Sequence, residues 1–127
     1  YTTSIALAGG KVPNDRVVDG VDLTRTLSGQ SKGKSASDEV YYYRGTKLMA
    51  IRKGPWKAHF MTQESYTGNN KLNEHDPPIL YNLEVDPGEN WNVAEQNAEV
   101  IEQLKKSAEA HRKTVKPVPS QLESLIK

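Results

Sequence analysis

From Val40 onward the chain switches to a period of two, and this limits its architecture more than any other feature. Val40 to Arg44 and Lys47 to Arg52 read as strands, and Gly45-Thr46 between them suits a type II′ hairpin turn, since a leading Gly accepts positive φ. Gly54-Pro55 breaks the chain again before a third strand, Trp56 to Thr62. On that strand Trp56, Ala58 and Phe60 alternate to one side, while Lys57, His59 and Met61 point to the other. The strand therefore has a core side and a chemical side. A polar loop is expected from Gln63 to Asp76, leading through Pro77-Pro78 into a fourth strand, Ile79 to Glu84, with Ile79, Tyr81 and Leu83 on one side. Asp86-Pro87-Gly88-Glu89 then fits a type II β-turn, with Pro preset at the second position and Gly free at the third.

After the turn the period becomes helical. Ile101, Leu104, Ala108, His111 and Val115 fall on one stripe of a helix expected from Ala98 to Val115, with Asn97 as N-cap and Glu99 in the first turn. Pro117 and Pro119 end it, and Gln121 to Lys127 is read as a weak helical or disordered tail. The expected fold is α+β: a small four-stranded antiparallel sheet packed by one long C-terminal helix, behind a loop-rich N-terminal segment. In that segment Ile5, Leu7 and Ala8 give a helical stub an apolar side, closed by Gly9 or Gly10. A short helical turn is expected at Asp22 to Leu27, capped by Asp22, and Gln30 to Ser37 is read as mobile. The chain opens at Tyr1 without an initiator Met, as though cut from something longer.

A length of 127 residues with 35% hydrophobic residues allows one modest core carrying long loops. With 17 basic and 16 acidic residues, the net charge of +1 exerts no global pull towards nucleic acid or membrane, and neither is expected as a partner. The charge is uneven: Arg44, Lys47, Arg52, Lys53 and Lys57 fall between Tyr41 and Phe60 without an acid, whereas the chain after Phe60 holds 11 acids and 7 bases. There is no cysteine, which excludes a disulfide framework and thiolate metal sites.

Lys57 and His59 are the best local candidates for a substrate contact, because a cation and an imidazole on one strand face can hold a sulfate, carboxylate or hydroxyl. The alternative is a solvated Lys57 with His59 bonded to a loop. His75 and His111 lack metal-ligand spacing, and His111 is read as a helix-to-sheet packing residue. Arg44, Arg52 and Lys53, interleaved with Tyr41, Tyr42, Tyr43 and Trp56, could form a strip for a sulfated glycan or nucleic acid, against which stands the tendency of basic residues to guard strand edges. Asp86 and Glu89 are explained by turn chemistry.

Several blocks in order carry a family resemblance: Thr2 to Gly9, Asp15-Arg16, Asp19-Gly20, Asp22-Leu23, YYYRGTKLMA at Tyr41 to Ala50, KAHF at Lys57 to Phe60, and LYNLEVDPGE at Leu80 to Glu89. Together they resemble the C-terminal part of formylglycine-dependent sulfatases of the N-acetylgalactosamine-6-sulfatase and arylsulfatase A type. The resemblance implies a sulfuric ester hydrolase of alkaline-phosphatase-like architecture whose large N-terminal catalytic domain carries the formylglycine nucleophile and the calcium ligands. This chain has no Cys and no Ser in a C-x-P-x-R-like setting, so it is expected to be non-catalytic by itself, with no metal ligands of its own. Residues 1–38 would be a helix end and connecting loops left from the catalytic domain, and 39–127 the C-terminal subdomain. The resemblance implies a pocket rim of Lys57, His59, Thr62, Gln63 and Tyr66; with Arg44 from the basic strip, Lys57, His59 and Gln63 are the substrate-binding candidates. Partners implied are the missing catalytic domain and a sulfated, glycosaminoglycan-type sugar. A non-catalytic module binding sulfated glycans is the alternative function. Thr67 stands where arylsulfatase A has a histidine, so that contact is not carried over. The missing cysteines favour a bacterial homologue, periplasmic or secreted, where animal relatives are lysosomal. A fragment with its docking surface bare is expected to self-associate.

Overall fold

The computed structural model describes residues 1–16, 18, 20–31, 37–64, 71–116 and 118. Two compact units divide it, Tyr1–Asp38 and Glu39–Lys127. In the first, helix α1 (Thr2–Leu7) is followed by the single turn α2 (Thr24–Leu27). Neither is long enough to stand alone. They are tied by hydroxyls: Thr2 Oγ1 donates to the Val21 carbonyl at 2.7 Å, and the Leu23 N–H donates to Thr3 Oγ1 at 3.0 Å. Gly9 closes α1 with φ +72°; Asp22 Oδ1 accepts the Thr24 N–H at 2.9 Å, but the N-cap position of α2 is Leu23 and not Asp22 as expected. Of the stretch read as mobile, residues 32–36 lie outside the described residues, as does the tail 119–127.

The second unit is a four-stranded antiparallel meander, β1 (Glu39–Arg44), β2 (Lys47–Lys53), β3 (Trp56–Gln63) and β4 (Leu72–Asn82), paired in chain order. Both tight turns follow from their glycines. Gly45 and Gly54 take φ +57° and +55°, while neither Thr46 nor Pro55 has positive φ, the type II′ pattern that matches strand twist. One cross-strand row, Tyr41, Ile51, Ala58 and Leu80, faces helix α3 (Ala98–Thr114). Ile51, Ala58 and Leu80 are wholly buried there with Leu48, Ala94, Ile101, Leu104 and Ala108. Burying a side chain such as Leu80 or Ile51 is worth roughly 1.5–3 kcal/mol, so this one layer holds the sheet to the helix.

Four of the five residues of the expected α3 stripe pack: Ile101, Leu104 and Ala108 are buried, and His111 stacks on Tyr41 with ring centroids 3.6 Å apart, whereas the helix stops at Thr114 and leaves Val115 extended and exposed. Asn97 is the N-cap residue, yet its side chain does not cap; its Nδ2 donates instead to the Val93 carbonyl at 2.8 Å.

Two expectations fail. The segment Gln63 to Asp76 is not all loop, because β4 begins at Leu72 and passes through Pro77 and Pro78. It can do so as an edge strand, where a missing N–H costs no ladder bond. The pairing also slips there, from Met61 opposite Glu74 to His59 opposite Ile79, so the prolines sit in a bulge. The core side of β4 is consequently Pro78 and Leu80, and Ile79 and Tyr81 share the opposite face. The second failure is the Asp86 turn. The Glu89 N–H donates to the Asp86 carbonyl at 3.2 Å, closing a β-turn, but Gly88 lacks the positive φ that type II requires. Glu89 takes it instead, at φ +55°.

Candidate functional site

Because side chains alternate along β3, burying Ala58 against α3 forces Lys57 and His59 onto the other face of the sheet. Cross-strand pairing then sets their neighbours. Lys57 lies between Arg52 and Tyr81, and His59 between Ala50 and Ile79. Into this row comes Glu89, carried over by the Asp86 turn. Its Oε1 accepts from Lys57 Nζ at 2.5 Å and its Oε2 meets His59 Nε2 at 2.7 Å. The Lys57 ammonium also sits 4.9 Å from the centre of the Tyr42 ring, and Tyr81 meets the His59 ring edge-on at 5.7 Å.

The cluster is half-buried, with side-chain exposures of 16%, 20% and 27% for Lys57, His59 and Glu89. Burial by itself would raise the Glu89 carboxyl, but hydrogen bonds from Lys57 and His59 outweigh it and hold the group below its ordinary value. For His59 burial wins: it pushes the imidazole down against the pull of Glu89, and the charge of Lys57 adds to the lowering. Around neutral pH the cluster is thus an ammonium–carboxylate pair with a neutral imidazole.

The turn that presents Glu89 is itself held by a buried carboxylate. Asp86 Oδ2 accepts the N–H groups of Asn90 at 2.7 Å and Trp91 at 2.9 Å, and Oδ1 accepts Asn90 Nδ2 at 3.1 Å. Beyond it the Val93 N–H donates to the Leu80 carbonyl at 2.9 Å, and Asn92 Oδ1 accepts the Leu80 N–H at 3.0 Å. Residues 92 and 93 thereby cover part of the open edge of β4.

Of the candidates named from sequence, the structure brings Lys57 and His59 together and sets Arg44 and Gln63 apart. Arg44 ends β1 beside the Gly45 turn, and Gln63 ends β3 at the same end of the sheet. Gln63 lies four residue steps along the strand from His59, roughly 13 Å. Near Gln63, Thr62 Oγ1 and His75 Nε2 are 2.8 Å apart. Tyr66 and Thr67 lie outside the described residues. The basic strip is divided as well. Arg52 Nε donates to its own hairpin at the Gly54 carbonyl, and Lys53 pairs with Glu39 at 2.7 Å on the helix side, where it also donates to Ser107.

Sequence reasoning missed Glu89, which it assigned to the turn. A Glu directly after Pro-Gly is ordinary turn composition, and its partners are 30 and 32 residues away in the chain.

Comparison with known proteins completes the picture. Residues 35–127 match the family model described as the C-terminal region of aryl-sulfatase. The chain is 34% identical to the N-acetylgalactosamine-6-sulfatase of Mus musculus over 144 aligned positions, covering 96% of this chain and 27% of the relative. It is 39% identical to arylsulfatase A of Bos taurus over 115 positions, covering 77% of this chain and 22% of the relative. Among solved structures, the PsFucS1 sulfatase of Pseudoalteromonas sp. superposes with a TM-score of 0.78 at 28% identity, covering 94% of this chain and 25% of that one. The chain thus spans about a quarter of the length of these relatives.

Proposed function

The chain belongs to the family formed by the C-terminal region of aryl-sulfatases, and from that premise we propose that it forms part of the substrate-pocket rim of a sulfatase acting on glycosaminoglycan-type sugars. Homologues over nearly its whole length are sulfuric ester hydrolases, among them N-acetylgalactosamine-6-sulfatases. The observation that carries the reading is the Lys57–Glu89–His59 cluster: three polar groups gathered, half-buried, on the sheet face that α3 leaves open. Its role is orientation of the sugar, not bond making.

Chemistry would come from the catalytic domain that precedes this region in its relatives. Formylglycine supplies there the nucleophile for the sulfate ester, and this chain has no Cys to furnish it. Among the described residues no three His, Asp or Glu side chains gather as metal ligands. Among the described residues no helix is long and apolar enough to cross a membrane. We place the parent enzyme in the periplasm or outside the cell.

The test compares N-acetylgalactosamine 6-sulfate with 4-nitrophenyl sulfate as substrates of the complete protein. K57M and H59F should lower the ratio of kcat/KM for the sugar to that for the aryl ester about tenfold, the worth of one hydrogen bond in a partly buried site. A ratio that stays put in both variants would remove the rim role. Binding of sulfated glycan without hydrolysis of either ester would favour a glycan-binding module instead.

A further inference from the structure

Both oxygens of the Glu89 carboxylate are occupied, one by the Lys57 ammonium and one by the His59 ring. An ionised carboxylate can only accept hydrogen bonds. A neutral imidazole facing it must therefore place its single proton on Nε2, leaving Nδ1 with a lone pair. Among the described residues, His59 makes its side-chain hydrogen bond through Nε2 and none through Nδ1. Beside it, one N–H of the Lys57 ammonium goes to Glu89 and the charge is offset by that carboxylate.

The backbone shows that this arrangement is imposed. Glu89 has φ +55°, where glycine or asparagine is the usual occupant, and the turn around it is fixed by the hydrogen bonds to Asp86. A glycine would suit the backbone better, so Glu89 stands here against its conformational preference. The Glu89 carboxylate reaches two strand residues that already share a face.

We infer that Glu89 is a positioning residue that fixes His59 as an Nδ1 acceptor beside the Lys57 donor, making the cluster a site for a neutral hydroxyl of the sugar and not for its sulfate. This rests on the rim reading above. A hydroxyl both donates and accepts, and so satisfies both partners at once. A sulfate only accepts; it would meet the Nδ1 lone pair and the Glu89 carboxylate, and the net charge of the cluster offers it nothing.

The experiment uses the complete protein and its hydrolysis of 4-nitrophenyl sulfate, inhibited separately by N-acetylgalactosamine and by inorganic sulfate. In E89A and H59F the inhibition constant for the sugar should rise about tenfold relative to that for sulfate, the equivalent of one hydrogen bond. Nitrogen-15 NMR of His59 should show the Nε2–H tautomer in the parent protein and a mixture in E89Q, whose amide can also donate. If K57M and H59F change neither constant, the rim reading fails and this inference with it. If those two variants do act, but E89A moves neither the sugar constant nor the His59 nitrogen shifts, the rim survives and the role of Glu89 is refuted. A rise in the sulfate constant alone, or no inhibition of the parent protein by the sugar, overturns the hydroxyl assignment.

Discussion

At the residue scale, His59 and Glu89 make stability depend on pH in one direction. In the unfolded chain His59 titrates near its ordinary 6.5, and burial lowers that value in the fold. Below pH 6.5 the unfolded state therefore binds more protons, so stability falls with acidification until the folded His59 is also protonated. Glu89 adds a second loss of the same sign. Its folded value lies below its ordinary 4.5, so its contribution is full above pH 4.5 and disappears as pH falls through the folded value. The thermal midpoint of this chain should accordingly drop between pH 7 and 5.5, and H59Q should flatten that part of the curve while leaving the steeper loss below pH 4.5. An equal slope in H59Q would show that His59 is not the titrating group. Lys57 and His59 were legible as a pair from their alternation alone. Glu89 was not, because nothing local distinguishes a turn carboxylate facing solvent from one that bridges two strand residues.

At the element scale, the assignment of faces on β4 has an energetic consequence. Leu80 is wholly buried opposite Ala58, while Ile79, one residue earlier, lies partly exposed beside His59. L80A should cost about 2–5 kcal/mol, the range for emptying a packed core site, and I79A about 1 kcal/mol. Urea unfolding of the two variants decides it; a larger loss for I79A would mean that the strand is in the opposite register. The two hairpins and α3 were readable because each is governed by nearby residues: a glycine at the turn, or an apolar stripe repeating every three or four positions. The β4 register was not readable. Apolar Ile79, Tyr81 and Leu83 alternate convincingly, but the bulge at Pro77-Pro78 and the contact with Ala58 hand the core to Pro78 and Leu80.

At the scale of the whole molecule, Val85 and Trp91 are 74% and 66% exposed in the second unit, in the very segment that carries the Asp86 turn. This chain expressed alone should self-associate, with a weight-average mass in sedimentation equilibrium that rises with concentration and falls in W91K; a strict monomer at high concentration would contradict it. What the sequence determined by itself was whatever repeats at short range: the period-two strands, their glycine turns, the helical stripe, and the ordered blocks that mark the sulfatase C-terminal region. Periodicity and turn chemistry act over a few residues, so they are written in adjacent letters. The tertiary structure alone decided which face of β4 is core, which end of the sheet receives Arg44 and Gln63, and that Glu89 closes on Lys57 and His59. Those outcomes depend on pairing between segments some thirty residues apart, where burial and electrostatic pairing compete, and no local pattern records which contact prevails.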